Sequence, residues 1–293
     1  MKKYYFAWPE SRDGELVFDS QEEISLEVVK SIENMTSDLA LFVSEHLYYR
    51  MLVKNFSEVL VWLEEFDVVS KFFKFNHDYI PYHHELNRLM INALNGTYVY
   101  FQHFGYKLST EENKQQLTYF RELRNAFLEE HFLYRFFDKL RNYAVHCSIP
   151  VTLLRSSIEE PSKAFHFDVH ALLRDYNAWG DVRKDLQKDR QSGNDKYCVR
   201  TFIMQALLIY QEFHLLVNVD HIQHVRSILA QLRMLIRTEK NQGRFPVFLI
   251  IDEEIPEKVE MQSAIESNYM LAVDALKDLT IDIGEKDTGG LTI

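Results

Sequence analysis

The sequence is poor in glycine and proline, with 9 Gly and 6 Pro among 293 residues. Average proteins contain roughly 7% Gly and 5% Pro, so this chain has few of the residues that form tight turns. Sandwiches, barrels and propellers need many turns, and the shortage therefore favours long helices. The glycines also never fall into the spacings G-x-G-x-x-G, G-x-x-x-x-G-K-[ST] or G-x-S-x-G. Their placement argues against dinucleotide-binding, P-loop and α/β-hydrolase sites.

Cysteines and long apolar runs are scarce as well. Cys147 and Cys198 lie far apart without a C-x-x-C, which suits a reducing cytosol and no structural zinc. The N-terminal segment has basic residues but no apolar h-region, so we expect no signal peptide. No apolar run has the length of a membrane span. We therefore expect a soluble, cytoplasmic protein with no membrane partner, no metal and no cofactor.

The net charge of −11 at first counts against nucleic acid as a partner, because phosphate binding depends on Lys and Arg. The acidity is concentrated near the C-terminus, however. Residues 252–293 contain 11 acidic and 3 basic side chains, a net charge of −8, which leaves −3 for residues 1–251. The body of the chain is nearly neutral, and its charge does not exclude RNA.

Apolar residues recur at helical spacing over most of the first 150 residues. We predict a helix from Gln21 to about Lys54, a second that Asn55 opens as its N-cap, and a third after a His-rich loop. A fourth helix of about 35 residues is expected to end before Pro150. Four long helices indicate a bundle, so residues 1–150 are predicted to form an N-terminal helical domain.

The pattern changes after residue 150. We predict a β-hairpin from the alternating segments 151–155 and 163–170, a buried strand at 244–252, and a final helix at 259–279. The second half is thus predicted as a helical accessory region, residues 151–281, with about three short strands. Residues 282–293 are predicted to be a flexible tail. The expected fold class is mainly α, with a small β-hairpin or sheet in the C-terminal half.

A polar stripe follows the predicted fourth helix. At about 100° per residue, seven residues spaced three or four apart share one face, and all but one are polar: Arg124, Leu128, His131, Arg135, Asp138, Asn142 and His146. The other faces are apolar and aromatic, which predicts a central helix whose rings serve packing rather than base stacking. Polar groups on such a helix must meet solvent or find partners in a cleft, because burying them unpaired is costly.

Residues 141–146, with the sequence RNYAVH, lie within this stripe. They resemble the signature of the HEPN superfamily of helical ribonucleases: an Arg, then a polar residue, often Asn or Asp, and a His that closes a window of four to six residues. The resemblance covers residues 139–150 and the helical content of the N-terminal half. It implies metal-independent cleavage of RNA by the substrate's own 2′-hydroxyl, usually in a site shared by two protomers. The implied catalytic residues are Arg141, Asn142 and His146.

The residue types suit that chemistry. Cleavage through the 2′-hydroxyl needs a proton acceptor, a donor for the leaving oxygen and a cation for the phosphorane charge. His146 can transfer the proton, Arg141 can bind the phosphate with its fork of donors, and Asn142 can orient the imidazole or the 2′-hydroxyl. Arg141 and His146 are about 140° apart around the helix and about 7.5 Å along it. Both reach one phosphate only if the long Arg side chain bends.

The same pattern occurs a second time, from Arg124 to His131, again with Asn after the Arg. We prefer the match from Arg141 to His146, because it lies at a helix end followed by proline, as the family's often does. Arg124, His131 and Arg135 are therefore assigned to substrate binding.

The resulting hypothesis is an RNA endonuclease that acts as a homodimer, of the type that similar proteins use as a toxin or antiviral effector in bacteria. RNA is its expected substrate, and a neutralising antitoxin or regulatory protein is a further expected partner. The alternative is a non-catalytic helical binding or scaffold protein whose polar stripe is a dimer or partner interface. A metal site in the His-rich segment 76–85 is disfavoured, because its spacing is not H-E-x-x-H.

Overall fold

The computed structural model describes residues 2–12, 15–73, 78–107, 114–153, 165–236, 246–252, 255–262 and 264–280. Within them the fold is mainly α with two small antiparallel sheets, which confirms the predicted fold class. The helices are α1 (Leu26–Val69), α2 (Tyr79–Lys107), α3 (Lys114–Glu130), α4 (Phe132–His146), α5 (Val169–Asp175), α6 (Val182–Gln191), α7 (Val199–Val217), α8 (Val219–Ile236) and α9 (Ala264–Thr280). The strands are β1 (Lys2–Arg12), β2 (Glu15–Ile24), β3 (Thr152–Leu153), β4 (Phe165–Asp168), β5 (Lys196–Cys198), β6 (Val247–Asp252) and β7 (Ile255–Gln262). The predicted tail, residues 282–293, lies outside the described residues.

The chain divides into two compact units, one comprising Met1–His46 and Asn218–Ile293 and the other Leu47–Val217. This division does not coincide with the boundary at residue 150 that the sequence suggests. The reason is that α1 contributes to both units, and the chain returns to the first unit after α7.

The first unit contains an antiparallel sheet in the order β2-β1-β6-β7. Its central strands β1 and β6 are buried on both faces. On one face Phe6 stacks on Phe248, with ring centroids 5.5 Å apart, and on the other Ala7, Val247 and Leu249 form a buried cluster. The strand predicted at 244–252 is therefore present.

Two predicted helix boundaries in this unit are wrong. The helix expected from Gln21 begins at Leu26, because the preceding residues pair with β1 as part of β2. The helix expected over 259–279 begins at Ala264, because residues 255–262 pair with β6 as β7.

Side-chain contacts join the helices of the first unit. Buried Glu45 of α1 lies 3.0 Å from Nδ1 of His221 on α8. His46, one residue further along α1, lies 3.4 Å from the carboxylate of Asp278 on α9. These polar pairs hold α8 and α9 against the same segment of α1.

In the second unit, the C-terminal part of α1 is a core helix. Its buried residues follow one face at alternating spacings of four and three: Leu52, Phe56, Val59, Leu63 and Phe66. Asn55 does not open a new helix, because α1 continues through it. A Cβ on Gly96 of α2 would lie 2.6 Å from Nδ2 of Asn55, so glycine permits the close approach of α1 and α2 there.

The predicted fourth helix is two helices. His131, with φ −107° and ψ 105°, interrupts it between α3 and α4. Arg135 satisfies the carbonyls that the break exposes, since its Nη1 donates to Leu128 O and to Glu129 O, each at 2.7 Å. A side chain thus replaces helical hydrogen bonds that the extended residue removes.

The predicted hairpin after residue 150 is confirmed, since β3 pairs antiparallel with β4, and β5 adds a third strand. With β6 and β7, residues 151–281 contain five strands among their described parts rather than three. Helices α5 and α6 flank Trp179, which is fully buried and donates to Leu172 O at 2.9 Å.

Among the described residues, no single helix combines the length and apolarity of a membrane span. In the same described parts of the chain, α7 and α8 reach that length and composition only when they are taken together.

Candidate functional site

Helix α4 carries the predicted motif and lies at the centre of the second unit. One side of it is buried, through Tyr134, Phe136, Phe137, Leu140 and Tyr143. The stripe residues that lie on α4 are only partly buried or exposed: Arg135, Asp138, Asn142 and His146. The other members of the stripe lie on α3 or at the break.

A cavity of about 110 Å³ lies between α2, α3, α4 and α7. Its polar lining comes mostly from partly exposed side chains: Tyr98, Gln102, Arg124, Asp138, Arg141 and Asn142. Its floor is buried and mainly aromatic: Leu94, Thr97, Phe101, Tyr134, Phe137 and Tyr210. The structure thus brings Arg141, Asn142 and Arg124 of the predicted site into one cavity.

Arg141 is held by two neighbours. Its guanidinium carbon lies 4.1 Å from the ring centroid of Tyr98 on α2, and its Nη1 donates to Oδ1 of Asn142 at 3.2 Å. The stacking on one side and the amide on the other restrict the orientation of the guanidinium. Asn142 therefore contacts Arg141 rather than His146.

Arg124 reaches the same cavity from α3. Its guanidinium carbon lies 5.5 Å from the ring centroid of Phe101, and its Nη2 lies 3.9 Å from Asp138 Oδ1. The other oxygen of Asp138 lies 3.5 Å from Lys139 Nζ. One carboxylate is thus shared by two cations, and together with Arg141 the group is net positive in an otherwise acidic protein.

Two tyrosines of the floor have buried hydroxyls. Tyr134 is 3% and Tyr210 is 1% exposed, and neither hydroxyl makes a well-formed hydrogen bond with the described residues. Weak side-chain contacts join Tyr134 to Arg124 and Tyr210 to Thr97. Burial raises the pKa of both phenols well above the usual value, although the Arg124 guanidinium lowers that of Tyr134 in part. Both groups therefore remain protonated donors at neutral pH.

His146 lies outside this cavity. It occupies the last turn of α4 and is exposed, one turn beyond Asn142. Two apolar neighbours are exposed as well, Val145 by 51% and Ile149 by 45%. The imidazole is thus accessible to a substrate or to a second protein copy that covers this end of α4.

The remaining predicted substrate-binding residues do not line the cavity. Besides its bonds to α3, Arg135 donates from Nη2 to Asp185 Oδ2 of α6 at 3.0 Å. The ring of His131 packs against Phe127, with centroids 4.9 Å apart. Arg135 and His131 therefore join α3, α4 and α6, and their observed contacts are structural.

The His-rich segment contributes structure as well. Nε2 of His83 lies 2.7 Å from Val151 O, and Asn87 exchanges two hydrogen bonds with the backbone of Val151. Glu85 pairs with Arg88. His77 lies outside the described residues, and within those described no three His, Cys, Asp or Glu side chains cluster as metal ligands.

The residues that complete the cavity are not recognisable from the sequence: Tyr98 and Gln102 on α2, Tyr134 on α4, and Tyr210 on α7. Their aromatic members resemble core residues in the sequence, and only the packing of four helices brings them beside Arg141.

Comparison with known proteins finds no similarity that could identify the chain, since no family profile, curated protein or solved structure matches it.

Proposed function

We propose that this chain is a metal-independent RNA endonuclease of the HEPN type that acts in the cytoplasm. The observation that carries the proposal is the cavity in which Arg141, Asn142 and a second guanidinium, that of Arg124, come together. Two guanidinium groups beside one cavity are suited to a phosphodiester, because each presents a planar set of donors to phosphate oxygens.

The reaction transfers the phosphorus from one RNA oxygen to another. The 2′-oxygen forms a bond to phosphorus while the bond to the 5′-oxygen breaks, which leaves a 2′,3′-cyclic phosphate and a 5′-hydroxyl. The proton of the 2′-hydroxyl passes to a base, and the 5′-oxygen takes a proton from an acid. Arg141 neutralises the phosphorane, so the charge needs no metal ion.

His146 is assigned one of the two proton transfers. Because it is one turn beyond Asn142 and exposed, it can act on RNA that extends from the cavity along the end of α4. A homodimer that joins these ends would supply a second histidine for the other transfer. A toxin or antiviral effector of this kind also needs a neutralising or regulatory partner.

The test is cleavage of RNA in the presence of EDTA. The wild-type protein is expected to produce 2′,3′-cyclic phosphate ends, and His146→Ala and Arg141→Ala are each expected to abolish them. Arg88→Ala, which removes an exposed arginine paired with Glu85 on α2, is the matched control and should cleave normally. Cleavage that persists in both site variants would refute the residue assignment.

The alternative is a non-catalytic helical binding protein that uses this side of α4 as an interface. It is favoured by the local ion pairs of Arg124 and Arg135 and by the position of His146 outside the cavity. It predicts no RNA cleavage by any form of the protein. It also predicts that His146→Glu, which places a charge on the interface, changes the molecular mass measured by light scattering.

A further inference from the structure

The floor of the cavity contains polar groups that the proposed reaction does not use. The hydroxyls of Tyr134 and Tyr210 are buried, and neither makes a well-formed hydrogen bond with the described residues. Their contacts with Arg124 and Thr97, respectively, are weak and leave hydrogen-bonding capacity unused. Buried polar groups in native proteins are almost always paired, and an unpaired hydroxyl costs free energy. Two such hydroxyls in one cavity indicate that a ligand completes their hydrogen bonds.

The charged groups of the cavity indicate the charge of that ligand. The Nε atoms of Arg124 and Arg141 are also buried without a hydrogen-bond partner in the described part of the chain. Asp138, the carboxylate that lines this cavity, is 3.9 Å from Arg124 and also lies beside Lys139. The donors of two guanidinium groups and two phenols therefore outnumber the acceptors, and an oxyanion fits better than a cation or a neutral ligand.

The size of the cavity limits the ligand to one group. Sites for drug-sized molecules occupy about 300–1,000 Å³, whereas this cavity is about 110 Å³. It has room for a tetrahedral oxyanion, but not for a complete nucleotide. The remainder of a nucleic acid would stay outside, on the side of Tyr98 and Asn142.

We infer that the cavity is a phosphate subsite for RNA, in which Tyr134, Tyr210 and Arg124 bind a phosphate next to the one that is cleaved. The inference rests on the proposed function for the identity of the nucleic acid. The seated phosphate is not the scissile one, because His146 does not line the cavity. Arg141, which belongs to the cavity and also to the motif, contacts both phosphates. The subsite therefore contributes to binding rather than to the chemical step.

The first measurement is the affinity of the protein for inorganic phosphate by isothermal titration calorimetry. Tyr134→Phe and Tyr210→Phe each remove one donor without changing shape, and each is expected to weaken phosphate binding about 2- to 10-fold. Arg124→Gln is expected to weaken it by about tenfold or more. Tyr197→Phe is the control, since its hydroxyl bonds Asp189 away from the cavity. Acetate should bind more weakly than phosphate in every case.

The stability of the same variants tests whether the hydroxyls lack well-formed hydrogen bonds. Because only a weak contact is lost, Tyr134→Phe and Tyr210→Phe should unfold at or above the wild-type temperature, whereas Tyr197→Phe should unfold below it. Wild-type protein that does not bind phosphate, or phenylalanine variants that bind it as tightly as wild type, would overturn the subsite.

A 2′-O-methyl oligonucleotide separates this inference from the proposed function, because it cannot be cleaved through the 2′-hydroxyl. If the subsite is correct, Tyr134→Phe and Arg124→Gln lower its affinity and raise KM for RNA cleavage, with kcat within about twofold. Phosphate and oligonucleotide binding without any RNA cleavage would refute the nuclease and leave the subsite intact. RNA cleavage without phosphate binding would refute the subsite and leave the nuclease intact.

Discussion

The guanidinium carbon of Arg141 lies 4.1 Å from the centroid of the Tyr98 ring, so an aromatic side chain of α2 orients the cation that α4 supplies to the cavity. Tyr98 is 45% exposed. A cation stacked on an exposed ring is stabilised by about 0.5–1 kcal/mol. This contact favours one orientation of the Arg141 guanidinium.

Replacing Tyr98 with Ala should therefore weaken RNA binding about 2- to 5-fold, because Arg141 loses its stacking partner. Tyr98→Phe keeps the ring and should bind as wild type does. Tyr106→Ala, which removes a tyrosine that is 83% exposed on the same helix, is the control. Binding is measured by fluorescence anisotropy with 2′-O-methyl RNA. Equal loss in the Ala and Phe variants would show that the hydroxyl, and not the ring, matters.

Arg135 is expected to stabilise the fold rather than to bind substrate. Arg135→Met removes the bonds to Leu128 O, Glu129 O and Asp185, and should lower the free energy of unfolding by about 2 kcal/mol. Arg121→Met, at an exposed position of α3, should change it by less than about 0.5 kcal/mol. Chemical denaturation measures both. A normally stable Arg135→Met variant that has lost RNA binding would instead support a substrate-binding role.

Asn87 is expected to be a second structural determinant. Its side chain accepts from Val151 N at 2.9 Å and donates to Val151 O at 3.2 Å, where both residues are buried. Asn87→Ala leaves the backbone N–H of Val151 unpaired and should lower the free energy of unfolding by about 2 kcal/mol. Asn92→Ala, one helical turn and one residue further along α2, is exposed and should have little effect. Similar stabilities of the two variants would contradict this account.

Buried tyrosines should make the protein less stable in alkali. Burial raises the pKa of Tyr100, Tyr134 and Tyr210, whereas tyrosines of the unfolded chain ionise near pH 10. Above about pH 10 the folded state retains phenol protons that the unfolded state releases. The contribution of these tyrosines to the free energy of unfolding is therefore complete below about pH 10 and is lost as the pH rises above it.

Absorbance at 295 nm and circular dichroism, recorded together during an alkaline titration, test this expectation. Some of the 16 tyrosines should ionise only when the helical signal is lost. Tyr100→Phe should reduce the number that ionise with unfolding. Ionisation of every tyrosine near pH 10 in a fully helical protein would be inconsistent with the burial described above.

Much of the helical architecture is predictable from the sequence, since it depends on local spacing. In the C-terminal part of α1, buried residues from Leu52 to Phe66 alternate at spacings of four and three, and no Gly or Pro interrupts the helix. The strand at β6 is predictable for a similar reason, because a short apolar run follows Pro246. The place of β1 in a sheet is not predictable in this way, since β1 pairs with β6 from the far end of the chain.

The candidate site likewise contains residues that the sequence reveals and residues that it does not. Arg141, Asn142 and His146 are recognisable because they are close in sequence. Tyr98 and Tyr210 are not, because α2 and α7 reach the cavity only through packing.

The sequence by itself determined a mainly helical protein, with a polar side on a segment that is otherwise apolar. Only the tertiary structure decided how that polar side is used. The break at His131 carries neither Gly nor Pro as a signal, and it is maintained because Arg135, fixed by Asp185 of α6, bonds the carbonyls at the end of α3. This arrangement directs Arg135 away from the cavity, while Arg124 and Arg141 remain beside it. Hydrogen bonds between distant segments, which spacing along the chain does not encode, determine which arginines lie beside the cavity.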